Sequence, residues 1–543
     1  MSAKNSLGSS RVSFVASFLS KLCRGNHKMK ARLAGLGISA AMLILLAACN
    51  TNANISGVGC PGNTGSFSNS SLAANSQWAF ELSGWQGNSN SASGVSPYRE
   101  AGVMTVDGNG HLTAATDDFY QQGSACSTPP CYSMTTGLTG TYSITSNGTG
   151  TITLQFPNGP ENWAITMQGN SFYIMETDTF ATAHGEAHMQ TSPFAAPNGT
   201  FAFRIHALGS SSGLSAAVGE MTVSAGTITG GNVDYLNGGV LSTLGVSGSF
   251  AAPDSTGRGT ASIAYGGNAA ATFAYYVIDQ NTVEFFETDG SLALGRMEAQ
   301  TGAGSFTNGS FSGPYAFGSF GDTSTYGSTN TVGQITADGS GSLVSGSYDG
   351  VQDGNVISVT SISAGSAYSV ASNGRFTMTI NGAGASAVTV IGYVVNAPAT
   401  AGRAFFLIDD STKVEDGTMD LQSSSSFAAS NLSGQYAMVM GGYDPTDVLD
   451  RTGVVQADGN GNINTSYVLN RTGVVSAPGC LTGTYTVAAN GRVAASITSL
   501  SSNLVFYMVN SNQAYILQAD GGTEVFGGMA LQSQPVLDPP GAF

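Results

Sequence analysis

The pentapeptide Leu-Thr-Gly-Thr-Tyr occurs at 138–142 and again at 481–485. It belongs to a longer repeat, each copy of which ends on a glycine followed five residues later by a glutamine. The four pairs are Gly185/Gln190, Gly295/Gln300, Gly417/Gln422 and Gly527/Gln532. The glutamines are spaced 110, 122 and 110 residues apart, and a repeat of that length is a whole domain. The chain is therefore predicted to be a tandem array of four copies of one fold.

Each unit opens with an apolar residue at every second position, as in Trp78/Phe80/Leu82 and Phe201/Phe203/Ile205. Alternation with a period of two predicts a half-buried strand. An Asp-Gly turn follows at 107–108, 338–339 and 458–459, and the second unit has the degenerate version Ser224-Ala225-Gly226. Asp-Gly between apolar strands predicts a hairpin, because glycine accepts a positive φ.

Later in each unit come two strongly apolar strands, such as Phe273–Ile278 and Val283–Phe286. Side chains that are apolar at consecutive positions predict that both faces of these strands are covered. Each unit shows about eight strands and no helical period. We therefore predict an all-β fold of four tandem antiparallel β units, each a small barrel or, alternatively, a β-sandwich. The barrel is favoured because closure removes sheet edges.

The repeat sets the predicted domain boundaries. These are a signal peptide with an upstream extension at 1–48, a flexible tether at 49–74, β repeats at 75–192, 193–303, 304–425 and 426–534, and a tail at 535–543.

The amino-terminal region has the pattern of an export signal. Lys30 and Arg32 precede the apolar stretch 38–46, which is shorter than the roughly 20 residues of a transmembrane helix. Leu46-Ala47-Ala48-Cys49 then resembles the lipobox of bacterial lipoproteins. The resemblance implies that Cys49 is lipidated and anchors the chain to a membrane, and that Asn50 directs it to the outer membrane. The alternative is an ordinary signal peptide with an incidental cysteine. Met29 is the preferred translation start over Met1.

The charge balance excludes some partners. Residues 1–48 hold seven of the 17 Lys and Arg and no Asp or Glu, so residues 49–543 carry 10 − 33 = −23. A chain this acidic is not expected to bind nucleic acid or anionic lipid through its surface. The predicted partners are the membrane, through the lipid, and an unidentified envelope polymer, glycan or protein.

Two further resemblances concern the repeat itself. Its opening Gly-x-aromatic, at 199–201, 313–315 and 434–436, resembles the first strand of lipocalin- and avidin-like barrels. The whole pattern resembles uncharacterised repeat lipoproteins of environmental bacteria. These resemblances imply a non-enzymatic cell-surface lipoprotein that acts in envelope structure, adhesion or extracellular binding. The alternative is a carrier of small apolar or sugar ligands in the barrel cavities, which would be lined by Trp78, Tyr142, Phe250, Tyr368 and Tyr485.

Residues that could carry chemistry are better explained by structure. His184 and His188 form the only close histidine pair, but two ligands without a third make a weak zinc motif. Acidic pairs such as Glu176/Asp178 recur after an apolar strand in successive units, which indicates a cap at a strand end rather than a calcium or catalytic site. The sequence therefore predicts no catalytic residue, no metal and no cofactor.

The cysteines fit an exported protein. Cys126 and Cys131 flank Ser-Thr-Pro-Pro, and a local disulfide between them is predicted. Cys60 and Cys480 either pair, if the first and last units touch, or are two thiols.

Overall fold

The computed structural model describes residues 65–86, 96–121, 131–179, 181–208, 214–323, 328–382, 387–400, 402–444, 447–498 and 502–534. All of them belong to one compact unit, Cys60–Phe543. Within these ranges, no helix has both the length and the apolar character needed to span a membrane.

The first two units are closed eight-stranded antiparallel barrels. Barrel 1 consists of β1 (Gln77–Gln86), β2 (Ser96–Val106), β3 (His111–Gln121), β4 (Tyr132–Ile144), β5 (Thr149–Phe156), β6 (Gly159–Met167), β7 (Ser171–Glu176) and β8 (Ala181–Met189). Barrel 2 consists of β9 (Gly199–Leu208), β10 (Ser215–Ser224), β11 (Thr227–Asn237), β12 (Val240–Phe250), β13 (Arg258–Tyr265), β14 (Ala271–Asp279), β15 (Thr282–Glu287) and β16 (Leu292–Ala299).

The other two units have nine strands each. Barrel 3 consists of β17 (Ser312–Thr323), β18 (Ser328–Asp338), β19 (Leu343–Gln352), β20 (Asn355–Val359), β21 (Ala367–Val370), β22 (Arg375–Ile380), β23 (Val388–Asn396), β24 (Arg403–Asp409) and β25 (Lys413–Leu421). Barrel 4 consists of β26 (Ser433–Tyr443), β27 (Val448–Asp458), β28 (Asn462–Arg471), β29 (Val474–Ser476), β30 (Leu481–Val487), β31 (Arg492–Ile497), β32 (Ser502–Asn510), β33 (Gln513–Gln518) and β34 (Glu524–Leu531). Short 3₁₀ turns lie at Asn69–Ser71, Asn308–Ser310, Pro398–Thr400 and Ala429–Asn431.

The two nine-stranded sheets close differently. In barrel 4 the pairing of β27 with β28 completes a ring of eight strands, and β29 is an added hairpin arm. In barrel 3 the gap between β19 and β21 is bridged by the pair Ser342 and Ala367 and by a hydrogen bond from the Tyr368 N–H to the Gly341 carbonyl at 2.8 Å. The predicted all-β fold of four barrel-like units is confirmed.

The period-two patterns place the cores inside the barrels. Trp78, Phe80 and Leu82 of β1 all have zero exposure and point into barrel 1. The predicted Asp-Gly turns connect second and third strands, and at the first of them Gly108 has φ +77°. The Asp107 carboxylate accepts hydrogen bonds from the N–H groups of Asn109 and His111 at 2.7 and 3.0 Å. This carboxylate caps a turn, as a hairpin requires.

The tyrosine that ends the pentapeptide, and its equivalent in barrel 3, bind the short segment that precedes each barrel. In barrel 1 the Tyr142 hydroxyl donates to the Asn69 carbonyl at 3.1 Å, and in barrel 3 Tyr368 does the same to Asn308. Tyr485 donates to the carbonyls of Ala429 and Leu432. These acceptors lie in or beside the 3₁₀ turns that precede barrels 1, 3 and 4. Barrel 2 has no such turn among its described residues, and Phe250, which has no hydroxyl, stands at that position.

The last part of the segment predicted as a tether, residues 65–74, packs against barrel 1. Residues 65–74 are rich in Gly, Ser and Asn, which is why the sequence indicates a flexible segment. However, Phe67 is 8% exposed and Leu72 is fully buried against the barrel 1 core. The Phe67 N–H also donates to the Ser146 carbonyl at 3.2 Å. Two apolar side chains are enough to hold this part of the segment on the barrel.

The glutamine that ends each repeat joins its barrel to the next one. The Gln190 side-chain amide donates to Thr256 and Val277 carbonyls of barrel 2, at 3.1 and 2.7 Å. The equivalent amides of Gln300 and Gln422 donate to pairs of carbonyls in barrels 3 and 4. The Gln532 amide of barrel 4 donates back to the Met167 carbonyl of barrel 1 at 3.0 Å. The four barrels therefore form a closed ring.

Apolar side chains on the outer barrel faces fill the interfaces of this ring. Ala274, Tyr276 and Phe286 of barrel 2 pack against Ala79 and Val103 of barrel 1. Similar clusters join barrel 2 to barrel 3 and barrel 3 to barrel 4. This packing explains the doubly apolar strands: their inner faces belong to a barrel core and their outer faces to a neighbouring barrel, as predicted.

A buried ion pair with a tyrosine clamps three of the four interfaces. Asp234 of barrel 2 is fully buried, and it accepts hydrogen bonds from the Arg375 Nε and Nη2 at 2.7 and 2.8 Å and from the Tyr393 hydroxyl at 2.9 Å. The same three residue types meet between barrels 1 and 2 and between barrels 3 and 4. Those clamps are Asp118–Arg258–Tyr276 and Asp349–Arg492–Tyr507.

The interface between barrels 4 and 1, called the seam below, has no such clamp. Thr149 and Thr166 stand where the arginine and tyrosine stand elsewhere, and Val468 replaces the aspartate. The Thr452 hydroxyl donates to the Thr166 hydroxyl at 3.0 Å instead. The Asn470 amide adds two hydrogen bonds of 2.8 Å to carbonyls of barrel 1.

The clamp allows a direct test of its contribution. Asp234→Ala leaves the Arg375 guanidinium and the Tyr393 hydroxyl without their acceptor, so we expect the free energy of unfolding to fall by about 3 kcal/mol. The double variant Asp234→Leu/Arg375→Leu removes both charges and should lose clearly less. Chemical denaturation followed by circular dichroism measures both, and an equal or larger loss in the double variant would contradict the clamp's role.

Candidate functional site

The candidate site is built on the ring axis, where the first and last strands of each barrel turn their outer faces toward each other. Cross-strand pairing puts four residues at one equivalent position: Glu81, Arg204, Gly318 and Val439. Their partners on the last strands are Glu186, Arg296, Thr418 and Gly528. The same backbone position therefore occurs four times around the axis. Its side chains are acidic in barrel 1, basic in barrel 2, and small or apolar in barrels 3 and 4.

These faces enclose an axial cavity of about 390 Å³. All four barrels contribute to its wall. Large side chains in the wall include Trp85 and Tyr173 of barrel 1, Leu294 of barrel 2, Phe320 of barrel 3, and Tyr515 and Phe526 of barrel 4. A concave, mostly apolar site of this size with a few polar groups has the properties of a small-molecule site.

Barrels 2 and 3 contribute a buried charge network to the wall. The His206 Nδ1 lies 2.6 Å from the Asp416 carboxylate, and the Arg204 Nη1 lies 3.1 Å from the same residue. Burial alone would lower the pKa of His206, but Asp416 and Asp322 raise the pKa to about 9. His206 is therefore charged at neutral pH, and its orientation is fixed by Asp416.

Barrel 1 contributes two histidines that the sequence singled out. The His188 Nε2 lies 3.1 Å from Glu186 and 3.6 Å from Glu284 of barrel 2. Burial would raise the pKa of Glu186, but His188, with Arg296 and Arg204 behind it, lowers the pKa to about 2. Glu186 is thus ionised and neutralised by its neighbours.

His184 lies at the seam. Its Nδ1 is 2.7 Å from the Asp450 carboxylate of barrel 4, and the Thr182 hydroxyl donates to the same carboxylate at 2.6 Å. A Cβ on Gly441 would overlap the imidazole ring, so glycine is required there. Among the described residues no group of three or more His, Cys, Asp or Glu side chains is arranged to hold a metal ion.

Two ionisable groups in the wall differ from this network because neither forms an ion pair with a described residue. No hydrogen bond or ion pair joins the Glu81 carboxyl to a described residue, although it lies in the cavity wall. Arg99 is 4% exposed, and among the described residues its guanidinium donates to the Tyr98 carbonyl, from Nη1 at 3.1 Å. Burial, then repulsion from Glu284 and Glu186, raises the pKa of Glu81 to about 8, and burial lowers the pKa of Arg99.

Aromatic pairs occupy two interfaces beside these groups. The rings of Trp85 and Tyr443 meet edge to face with centroids 5.6 Å apart across the seam. Phe320 and Phe526 stack at 6.3 Å between barrels 3 and 4, and the Arg204 guanidinium lies 5.8 Å from the Phe320 ring. The cavity thus combines flat apolar surfaces with isolated charges.

The residues predicted to line a ligand cavity lie elsewhere. Trp78, Tyr142, Phe250, Tyr368 and Tyr485 are 5% exposed or less and pack in the four barrel cores. None of them lines the axial cavity. Sequence reasoning missed Glu81 and Arg99, because it interpreted the opening strand of each unit as half-buried and so gave no role to its outer face. Aligning the four units would have pointed to this site, because the position of Glu81 holds a different residue type in each unit.

The other predicted sites have separate outcomes. Cys131 and Cys480 are both disulfide-bonded. Cys49, Cys60 and Cys126 lie outside the described residues, so lipidation of Cys49 and the Cys126–Cys131 pairing stay predictions. The acidic strand ends act as caps, as predicted: the Asp178 carboxylate accepts from the backbone N–H and the side-chain amide of Asn162 at 3.2 and 2.8 Å.

No protein-family model matches this chain, and none of the curated proteins matches it. Solved structures with similar strand arrangements include transferrin binding protein B from serogroup B Neisseria meningitidis, at 11% identity and a TM-score of 0.18, over 68% of this chain and 85% of that one. A protein described as AttH from Nitrosomonas europaea has 8% identity and a TM-score of 0.17, over 68% and 97%. The intact Ap-TbpB, with both lobes, has 9% identity and a TM-score of 0.16, over 66% and 78%. TM-scores this low carry no argument about function.

The raised pKa of Glu81 predicts a pH dependence of stability. The folded pKa of about 8 exceeds the value of about 4.3 for an unfolded glutamate. The folded state therefore binds more protons between these values, and the stability contributed by protonated Glu81 is lost as the pH rises through 8. We expect Glu81→Gln to flatten the fall in melting temperature between pH 6 and 9.

This comparison tests Glu81 together with Glu284, whose pKa is also raised by burial and whose charge acts on Glu81. More distant groups change stability in the same direction. The pKa values of Glu100, Asp117, Glu161 and Glu176, which are buried in barrel 1, are also raised by burial. They remain in both proteins and contribute equally. If the melting temperatures of the wild type and of Glu81→Gln fall equally between pH 6 and 9, the Glu81 carboxyl is solvated and the prediction is wrong.

Proposed function

We propose that this chain is a lipid-anchored protein of the bacterial envelope that binds a small ligand in the axial cavity without transforming it. The observation that carries the proposal is the cavity itself, in which one repeated backbone position carries a different side chain in each barrel. A purely structural ring would be served by the same residue in every barrel. The diversity of Glu81, Arg204, Gly318 and Val439 supports a role in recognition.

Lipid anchoring is supported by the lipobox-like Leu46-Ala47-Ala48-Cys49, and Asn50 supports the outer membrane. We expect Cys49→Ala to move the protein from the membrane fraction to the soluble fraction, because the acyl chains supply the membrane affinity. Thr51→Ala, two residues beyond Cys49 in the mature chain, is the control and should leave the protein in the membrane fraction. Membrane retention of Cys49→Ala equal to the wild type would contradict the anchor.

The cavity is tested by filling it. Ser83 lies in the cavity wall, so Ser83→Phe places a ring in the ligand space. Thr139→Phe adds the same ring at an exposed position of β4 and is the control. We expect at least one class of small molecules, among amino acids, sugars, nucleosides and organic acids, to raise the melting temperature of the Cys49→Ala protein and of Thr139→Phe but not of Ser83→Phe. Shifts of equal size in both phenylalanine variants, or no shift with any class, would refute the proposal.

A second candidate function is adhesion to an envelope polymer, glycan or protein. It is favoured by valines exposed just after the turn of the third hairpin in three barrels: Val240 at 67%, Val356 at 46% and Val474 at 58%. An apolar side chain exposed at the same turn in three barrels favours an interaction surface at that turn. The triple variant with serine at these positions should lose binding on glycan and envelope-polymer arrays; unchanged binding would argue against this surface.

A further inference from the structure

We propose that the axial cavity binds a small zwitterion, such as an α-amino acid with an apolar side chain, with its ammonium group at Glu81 and its carboxylate at Arg99. This inference rests on the proposed small-ligand function and names the ligand class. It depends on a glutamate and an arginine in the cavity wall, neither of which forms an ion pair with a described residue.

Arg99 is the first of these two residues. The other arginines of the axis, Arg204, Arg296 and Arg403, each lie within 4 Å of a carboxylate. Arg99 is 4% exposed, yet within the described part of the chain its hydrogen bond goes to the neighbouring Tyr98 carbonyl, and no described carboxylate lies within 4 Å, so Asp322 acts on it only from a greater distance. A buried guanidinium without a counter-charge is unfavourable. A ligand carboxylate would supply the missing acceptor, and arginine matches that group with two parallel hydrogen bonds.

Glu81 is the second residue. Its carboxyl has no hydrogen-bond partner among the described residues. Glu284 and Glu186 repel its ionised form more strongly than Arg204 and Arg296 favour it. A ligand ammonium would offset that repulsion and favour ionised Glu81. Binding at neutral pH should then release a proton, because burial holds the pKa of the unoccupied carboxyl near 8.

The spacing of the two groups fits one small molecule. Arg99 pairs with Ser83 across β1 and β2, and Glu81 pairs with Ala101, so Glu81 and Arg99 are diagonal neighbours on the outer face. Diagonal neighbours lie roughly 7–8 Å apart. That distance separates the two strand positions, and both side chains line the cavity, so an ammonium and a carboxylate on the same carbon can reach them through charge-assisted bonds of about 2.8 Å.

The rest of the wall favours an apolar side chain on the ligand. Barrel 4 presents Val439 and Gly528 at the positions that carry charges in barrels 1 and 2. Phe320 and Phe526 stack beside them, and Trp85 and Tyr443 lie toward the ends of their strands. Apolar and aromatic surface around a few placed charges is the usual composition of a small-molecule pocket.

The test uses three probes that share the phenylalanine side chain and differ in the charges at the α-carbon substituents. L-phenylalanine carries both charges, N-acetyl-L-phenylalanine only the carboxylate, and L-phenylalaninamide only the ammonium. With the Cys49→Ala protein at pH 7, calorimetric titration should show L-phenylalanine binding at least tenfold more tightly than either analogue. Its binding enthalpy should change with the ionisation enthalpy of the buffer, since a proton is released.

Two variants assign the charges. Glu81→Gln should remove the preference over N-acetyl-L-phenylalanine, and Arg99→Met should remove the preference over L-phenylalaninamide. Arg471→Met changes a half-exposed arginine outside the cavity wall and should leave all three affinities unchanged. Circular dichroism checks that each variant is folded; if Arg99→Met is not, Arg99→Lys replaces it and should weaken L-phenylalanine but not L-phenylalaninamide.

The outcomes separate this inference from the proposed function. Equal affinity for L-phenylalanine and one analogue would overturn the zwitterion and indicate a simple anion or cation site. A second result is that none of the three probes binds, while another compound class raises the melting temperature of the Cys49→Ala protein but not of Ser83→Phe. That result would overturn the zwitterion inference and leave the small-ligand function in place. If no compound class gives such a shift, both fail.

Discussion

The ring depends on one repeated hydrogen-bonding arrangement. A glutamine just beyond the last strand of each barrel gives its amide to main-chain carbonyls of the next barrel, and Gln532 gives its amide to barrel 1. The amides of Gln190, Gln300 and Gln422 each donate to two carbonyls of the next barrel. Gln532 donates to the Met167 carbonyl, and Gln435 supplies the second bond, to Asn147. These contacts close the ring, and the outer faces of the first and last strands converge on one axis. The cavity is therefore a product of assembly, and no single barrel could form it.

The positions of the lysines and arginines also follow from the ring. Residues 49–543 contain ten lysines and arginines against 33 acidic residues. Three of these ten cations form the clamps: Arg258, Arg375 and Arg492. Four more line the axial cavity: Arg99, Arg204, Arg296 and Arg403. Positive charge is thus concentrated between the barrels, which leaves an outer surface dominated by carboxylates. Such a surface keeps the protein soluble and disfavours association between copies.

Much of a single barrel could be predicted from the sequence, because its core follows local rules. The alternation at Trp78/Phe80/Leu82 gives β1 its inner face, and Asp107-Gly108 gives the hairpin its turn. The doubly apolar Phe273–Ile278 even indicates that a neighbour covers its outer face. The ring could not be predicted, because Asp118 and Arg258 are 140 residues apart and nothing local pairs them. The candidate site was missed for the same reason: Glu81 and Arg99 look like ordinary outward-facing residues until four barrels surround them.

The seam has a mechanical consequence. At the other three interfaces a buried aspartate holds two or more groups of the next barrel, which leaves little angular freedom between neighbours. In a ring of four barrels, the geometry of the fourth interface must fit the angles at the other three. Thr452 and Thr166 meet through one hydroxyl hydrogen bond rather than a bidentate ion pair, and Asn470, Thr182 and His184 supply further separate contacts. Loss of any one of these contacts leaves the others in place, whereas loss of the aspartate at another interface removes its whole clamp.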